Sequence, residues 1–267
     1  MNDSIPPILL VGFGKMGGAM LAGWRERGLA GAVAVDPALP ESPAAEVRVV
    51  AAADGIPAEF RPAAVVLAVK PQNADAMLPL YARYADSAVF LSIMAGKTLA
   101  GMGLLLGGGA HIVRAMPNTP AAIRQGITVA CAGAAVTAGQ RALCDTLLQA
   151  VGKVAWVDDE ALIDPVTAVS GGGPAYVFLL AELLERAAIE QGIPPDLARL
   201  MARQTVAGSG ALLAASEDDA AALRKAVTSP KGTTERALAV LMAEDAWPSL
   251  VSRAIAAATA RSRELAG

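Results

Sequence analysis

Ile8-Leu9-Leu10-Val11-Gly12-Phe13-Gly14-Lys15-Met16-Gly17-Gly18-Ala19-Met20 decides the fold of this chain. Ile8 to Val11 is an apolar run that reads as a short buried strand. It breaks at Gly12, and from Gly18 onward the spacing is helical. This is Gly-x-Gly-x-x-Gly between a strand and a helix, the setting in which the pattern has a mechanism. Gly12 permits the tight turn, and Gly14 lets the backbone approach a pyrophosphate. Gly17 lets the helix pack against the strand, and free N–H groups of the first helical turn face the phosphates. A flexible glycine-rich turn is the plain alternative; the placement favours a dinucleotide. Gly12, Phe13, Gly14, Lys15, Met16 and Gly17 are therefore the candidate cofactor turn.

Strand and helix patterns alternate downstream. Ala32 to Val35 forms a second strand that ends at Asp36, 19 positions past Gly17. That is close to the spacing at which an acidic residue binds the adenine ribose 2′-hydroxyl. An alternating patch at Val47 to Val50 is a third strand. Ala64 to Val69 is continuously apolar, as in a parallel strand covered on both faces, and Pro71 stops its ladder after Lys70. Val89 to Ile93 follows and leads into Met94-Ala95-Gly96. Next come a helix over Leu99 to Leu106 and strands at His111 to Met116 and Gly126 to Cys131. A helix over Gln140 to Val151 and a strand over Lys153 to Val157 complete the pattern. Alternation at this pace implies a doubly wound α/β sheet over residues 1–157.

From Asp158 the period changes and no strand pattern recurs. Helices fit Ala175 to Leu184, Asp196 to Ala215, Asp218 to Val227, Thr234 to Ala243 and Trp247 to Arg263. Residues 158–267 read as a second, all-helical domain, with the boundary near Trp156 to Glu160. Small residues crowd its helices, notably Ala207, Gly208, Gly210, Ala211, Ala214 and Ala215. Glycine inside a helix costs about 1 kcal/mol relative to alanine, so close helix packing should compensate. A self-contained bundle and a dimer interface both fit such apolar segments.

Composition excludes several classes. The 267 residues are 54% apolar and 18% charged with a net charge of −3, so there is no basic stripe for nucleic acid or an anionic membrane. Met1-Asn2-Asp3-Ser4 is acidic, unlike the start of a signal peptide. Gly, Pro or a charge interrupts each apolar run short of a membrane span. Cys131 and Cys144 are too few for a disulfide framework or a zinc site, and a cytoplasmic protein is the default expectation. His111 is the only histidine, so a multi-histidine metal site within one chain is impossible, and no metal is expected. At a strand end near solvent, it reads as structural.

Two stretches break the helical domain. Ser170-Gly171-Gly172-Gly173-Pro174-Ala175-Tyr176 fits a loop between helices about as well as a functional kink. Thr228-Ser229-Pro230-Lys231-Gly232-Thr233-Thr234-Glu235 opens a helix. It fits an ordinary N-cap and, equally, an anion site built from uncapped N–H groups at the positive helix end.

With Ala68-Val69-Lys70-Pro71 and Arg114-Ala115-Met116-Pro117-Asn118-Thr119-Pro120, these stretches resemble the pyrroline-5-carboxylate reductase family, motif by motif and in the same order. The resemblance covers nearly the whole chain. It implies a Rossmann domain followed by a helical dimerisation domain that interlocks with a second subunit. It implies NADPH or NADH as hydride donor to a cyclic imine carboxylate, and a homodimer or higher oligomer. Ala68, Val69, Lys70, Pro71, Met94 and Ala95 are then expected at the cofactor with the Gly12 turn and Asp36. Ser229, Lys231, Gly232, Thr233 and Thr234 are expected to bind substrate, the loop N–H groups holding its carboxylate. The Thr234 hydroxyl is expected near the ring nitrogen as the catalytic group.

Two positions depart from the family pattern: Gly172 stands for a usual serine, and Lys231 for the first of two usual glycines. A lysine there either keeps φ negative or needs something to offset left-handed strain. Its ammonium then either pairs with the substrate carboxylate or points into solvent. The inventory suits imine reduction, because an imine nitrogen is itself basic and needs no tuned histidine or carboxylate. Asp36, followed by Pro37-Ala38-Leu39-Pro40 without Arg or Lys, leans toward NADH. The rival readings are a hydroxy- or keto-acid dehydrogenase of similar layout and a non-catalytic cofactor sensor. The first lacks a general acid beyond Glu182, and the second has no need of the Ser229–Thr234 loop.

Overall fold

A computed structural model describes residues 4–38, 42 and 44–266. Eight strands form one sheet: β1 (Ile8–Val11), β2 (Ala32–Val35), β3 (Val47–Val50), β4 (Ala64–Leu67), β5 (Val89–Ser92), β6 (His111–Met116), β7 (Gly126–Ala132) and β8 (Gly152–Val157). Their order is 3-2-1-4-5-6-7-8. All neighbours are parallel except β6 and β7. Ile8 pairs with Ala32 on one side and Ala64 on the other, so the chain reverses its direction of sheet growth at β1. That switch point is where open α/β sheets bind ligands, beyond the carboxyl ends of the strands.

Both faces are covered, which is why β1, β2 and β4 read as unbroken apolar runs. Ile8 and Leu10 face one core, shared with Met20, Leu21 and Trp24 of α1 (Lys15–Glu26) and Cys144, Leu147 and Leu148 of α4 (Ala138–Gln149). Leu9 and Val11 face the other, with Leu78, Tyr81 and Met102. Trp24 Nε1 donates to the Leu147 carbonyl at 2.9 Å, satisfying its only donor inside the first core. On the second face lie the short α2 (Ala74–Met77), the 3₁₀ turns Leu78–Tyr84 and α3 (Leu99–Leu105). Burial pushes the Cys144 thiol up to about 12 and raises that of Cys131, so both stay neutral thiols.

The remaining helices are α5 (Ile163–Val166), α6 (Gly173–Glu190), α7 (Pro195–Ala215), α8 (Ala220–Ala226), α9 (Thr233–Leu241) and α10 (Trp247–Ala266). By contacts the chain forms two compact units. One holds the described residues through Gly171 together with those from Ala258; the other is Gly172–Ala257. The change of period at Asp158 precedes this division. Residues 160–171 are helical yet group with the sheet, because Ile163 packs on Met116 and Cys131.

Helical turns run from Glu160 to Glu190 through a π turn at Thr167–Gly171 and a bend at Gly172. Ser170 to Tyr176 therefore holds the end of a π turn, a bend at Gly172 and the start of α6. Thr167 Oγ1 donates to the Ile163 carbonyl at 2.7 Å and Ser170 Oγ to Val166 at 3.0 Å, side-chain bonds that bend helices. Pro174 sits in the first turn of α6, where its missing N–H costs nothing. Gly and Pro therefore do not interrupt this segment as expected. By length and composition the run Glu160–Glu190 is apolar enough to span a membrane, a correction to the sequence reading. Within the second unit, α6 has no buried residue, and Phe178, Leu179 and Leu200 are more than half exposed.

Candidate active site

The Gly12 turn follows β1 at the switch point. Gly12 has φ +92°, and its N–H donates to the Val35 carbonyl at 2.9 Å. A Cβ there would lie 2.7 Å from the Ala68 carbonyl oxygen, and a Cβ on Gly17 would lie 2.4 Å from the Gly12 oxygen. These two glycines serve the packing of turn, helix and neighbouring strand. Gly14 is different: φ is −70° and a Cβ would meet no protein atom within 4 Å. Its missing side chain leaves room for something from outside the chain. Gly14 is also the N-cap of α1 and offers no side-chain acceptor, which leaves the first-turn N–H groups open. A backbone-lined, uncapped helix start with open space above it fits a pyrophosphate.

Asp36 follows β2 beside this turn. Phe13 N–H donates to its Oδ2 at 2.7 Å and Ala38 N–H to its Oδ1 at 2.9 Å. The carboxylate is thus fixed at the mouth of the turn, the position expected for an adenine ribose. Leu39 and Pro40 lie outside the described residues.

Ala68 follows β4, and its N–H donates to Val11 at 2.8 Å. Ala68 and Val69 are half-buried and Lys70 exposed; Pro71 opens a 3₁₀ turn. After β5, Met94 is buried in the second core, so that its side chain belongs to packing, and Ala95 is exposed. The ends of β1, β2, β4 and β5 therefore gather the Gly12 turn, Asp36, Ala68–Pro71 and Met94–Ala95 along one sheet edge.

In the second unit, Ser229-Pro230-Lys231-Gly232 forms a tight turn closed by Gly232 N–H to the Ser229 carbonyl at 3.0 Å. Lys231 has φ +59°, the left-handed geometry that the third residue of such a turn demands. Of the alternatives for this lysine, the loop keeps glycine's geometry. A Cβ on Gly232 would lie 2.9 Å from the Ser229 oxygen. Gly232 caps α9 without a side-chain acceptor, so Thr233 and Thr234 begin the helix with N–H groups that have no intrahelical partner. The exposed Thr234 hydroxyl lies in the same first turn. Neutral N–H groups at a positive helix end suit a carboxylate.

One buried cluster was not expected. Arg114, in the middle of β6, is 2% exposed, and its Nη1 donates to Glu160 Oε1 at 2.9 Å. Its Nη2 lies 3.6 Å from Asp164 Oδ1, which accepts from Ser262 Oγ at 2.8 Å. Glu160 Oε1 also accepts from Leu99 N–H, just past the Met94–Ala95 segment. A charged residue interrupting an otherwise apolar strand was the available signal. Asn118 Oδ1 accepts from Ile127 N–H at 3.0 Å, fixing the segment after β6. His111 Nδ1 lies 2.7 Å from Gln140 Oε1, within the capping box of α4, a structural role.

Comparisons with known proteins agree with this layout. Residues 160–265 match the family described as pyrroline-5-carboxylate reductase dimerisation. The pyrroline-5-carboxylate reductase of Pseudomonas aeruginosa is 39% identical, over 98% of this chain and 98% of its own. A pyrroline-5-carboxylate reductase structure from Coxiella burnetii superposes with a TM-score of 0.89 at 32% identity, covering 97% of this chain and 98% of that one. The Plasmodium falciparum pyrroline carboxylate reductase structure, with NADP bound, gives 0.83 at 25% identity over the full length of both chains. The chain belongs to the pyrroline-5-carboxylate reductase family.

Proposed function

We propose that this chain reduces 1-pyrroline-5-carboxylate to L-proline with a nicotinamide cofactor, the last step of proline synthesis. The observation that carries the reading is a glycine turn shaped for a pyrophosphate and an uncapped Ser229–Thr234 loop in a chain of this family. When bound, the reduced nicotinamide supplies the hydride. The chain's own part is to hold and orient. The Gly12 turn takes the pyrophosphate, Asp36 the adenine ribose, and Ala68–Pro71 with Met94–Ala95 border the rest of the cofactor. The loop of Ser229, Lys231, Gly232, Thr233 and Thr234 takes the substrate carboxylate, with the open Thr233 and Thr234 N–H groups as its donors. Thr234 Oγ1 hydrogen-bonds the ring nitrogen and so aims the imine carbon. Orientation of this kind can supply about 7–11 kcal/mol of a barrier.

We assign residues 1–157 to cofactor binding and 158–267 to substrate binding and dimerisation. The partner is a second copy, which covers the apolar face of α6 that one protomer leaves exposed. That face, rather than lipid, accounts for the apolar run Glu160–Glu190, and we place the enzyme in the cytoplasm.

Steady-state turnover of pyrroline-5-carboxylate with each cofactor tests the reading; absence of turnover with both would overturn it. NADH should give the higher kcat/KM. The Asp36 carboxylate, pinned by two N–H groups, would repel a 2′-phosphate, and no Arg or Lys follows it through residue 40. A clear NADPH preference would remove Asp36 from this role. Thr234→Ala should lower kcat/KM by about tenfold to a hundredfold, the loss of one transition-state hydrogen bond, with NADH affinity intact. Unchanged kinetics would take Thr234 out of the site.

A further inference from the structure

A lysine at position 231 needs support that a glycine would not. Left-handed φ brings the Cβ of an L-residue close to its following carbonyl, so Lys231 at φ +59° is strained wherever nothing holds it. Its side chain is exposed and gives no packing in return. The hold comes from the backbone. Lys231 N–H donates to Glu235 Oε2 at 2.8 Å, a charge-assisted bond. Glu235 is the third residue of α9, from which a carboxylate commonly reaches back to the residue capping the helix. Here it reaches one residue further out, to the strained position itself.

The donors of the loop are then divided. Gly232 N–H is taken by the Ser229 carbonyl and Lys231 N–H by Glu235. Thr233 and Thr234 keep theirs for a ligand, since neither is capped by a side chain. The arrangement brings a cost, because the Glu235 carboxylate sits at the same positive helix end that receives the substrate's own carboxylate. A negative side chain in that place is explained if it shapes the loop.

We propose that Glu235 is a positioning residue of the substrate loop, holding Lys231 in the left-handed turn that aims the Thr233 and Thr234 N–H groups at the substrate carboxylate. The proposal rests on the functional reading above. It distinguishes Glu235 from a solvated helix residue through its dependence on the residue at position 231.

Glu235→Ala should raise KM for pyrroline-5-carboxylate by about tenfold, the scale of one charge-assisted hydrogen bond, with NADH affinity unchanged. Glu235→Gln, whose amide oxygen can still accept, should recover most of the loss. In the Lys231→Gly background the same Glu235→Ala change should cost less than about twofold, because glycine takes positive φ unaided. Thermal unfolding supplies a readout independent of turnover. Glu235→Ala should lower Tm in the parent chain and leave it unchanged in the Lys231→Gly background. Equal KM penalties in the two backgrounds, or a KM that falls as repulsion is relieved, would overturn the proposal. If the parent chain does not turn over the imine, the functional reading fails and the substrate role with it. The Tm cycle still decides whether Glu235 holds the turn.

Discussion

Gly12→Ala is expected to raise the Kd for NADH by about a hundredfold and to lower Tm as well. Two penalties combine at this position. The residue sits at φ +92°, and its added Cβ would lie 2.7 Å from the Ala68 carbonyl oxygen, 2.8 Å from its carbon and 3.0 Å from Val69 N. All three are backbone atoms at the end of β4, which is bonded on both sides within the sheet, so nothing flexible can yield. Overpacking and left-handed strain together amount to about 2–4 kcal/mol. The turn must open, and the close spacing between Gly12 and Ala68 is lost. Gly14→Ala makes the control. Its Cβ would meet no protein atom within 4 Å and its φ of −70° suits alanine, so Tm should hold while NADH affinity falls by about tenfold. Fluorescence titration with NADH measures both. Unweakened binding in Gly12→Ala would mean that this turn is not the pyrophosphate site.

Arg114→Met should destabilise the protein by about 3 kcal/mol, since it leaves two carboxylates with no cation in a largely buried cluster. Glu160 and Asp164 have side chains 27% and 11% exposed, which places the loss toward the lower end for a broken buried pair. Thermal unfolding should shift down by about 6–12 °C for a chain of this size. Adding Glu160→Gln and Asp164→Asn to Arg114→Met should restore most of the loss, because amides carry no charge to strand. An unchanged Tm in the single variant would show that the cluster is held by its surroundings rather than by Arg114. The Nε and Nη2 atoms of Arg114 lack hydrogen-bond partners, so the triple variant also removes donors that the native protein leaves unsatisfied.

Much of this was legible in the residues because the chemistry is local. Strands covered on both faces become runs such as Ala64-Val65-Val66-Leu67, and the strand–glycine–helix order made the Gly12 turn a candidate nucleotide site. What escaped depends on distance or on competing local signals. Residues 160–171 hide a helix behind Pro165, β-branched Val166, Thr167 and Val169, and Gly171, each unfavourable by propensity. Packing of Ile163 against β6 and β7 overrides them. The Arg114–Glu160 pair spans 46 positions and has no periodic signature. Spacing pointed to Asp36 as a ribose acceptor, yet not to the Phe13 N–H that fixes its carboxylate. The glycine-like conformation of Lys231 was one of two open alternatives, and the Glu235 bond that holds it required coordinates.

The proposed chemistry is delivery of a nicotinamide hydride by this chain to the imine carbon of a cyclic carboxylate. Mass spectrometry of the product formed from pyrroline-5-carboxylate and NADH dideuterated at the nicotinamide C4 tests it directly. The expected product is proline carrying a single deuterium, bonded to the ring carbon that was the imine carbon. Proline without deuterium, or labelled cofactor that is never consumed, would contradict it.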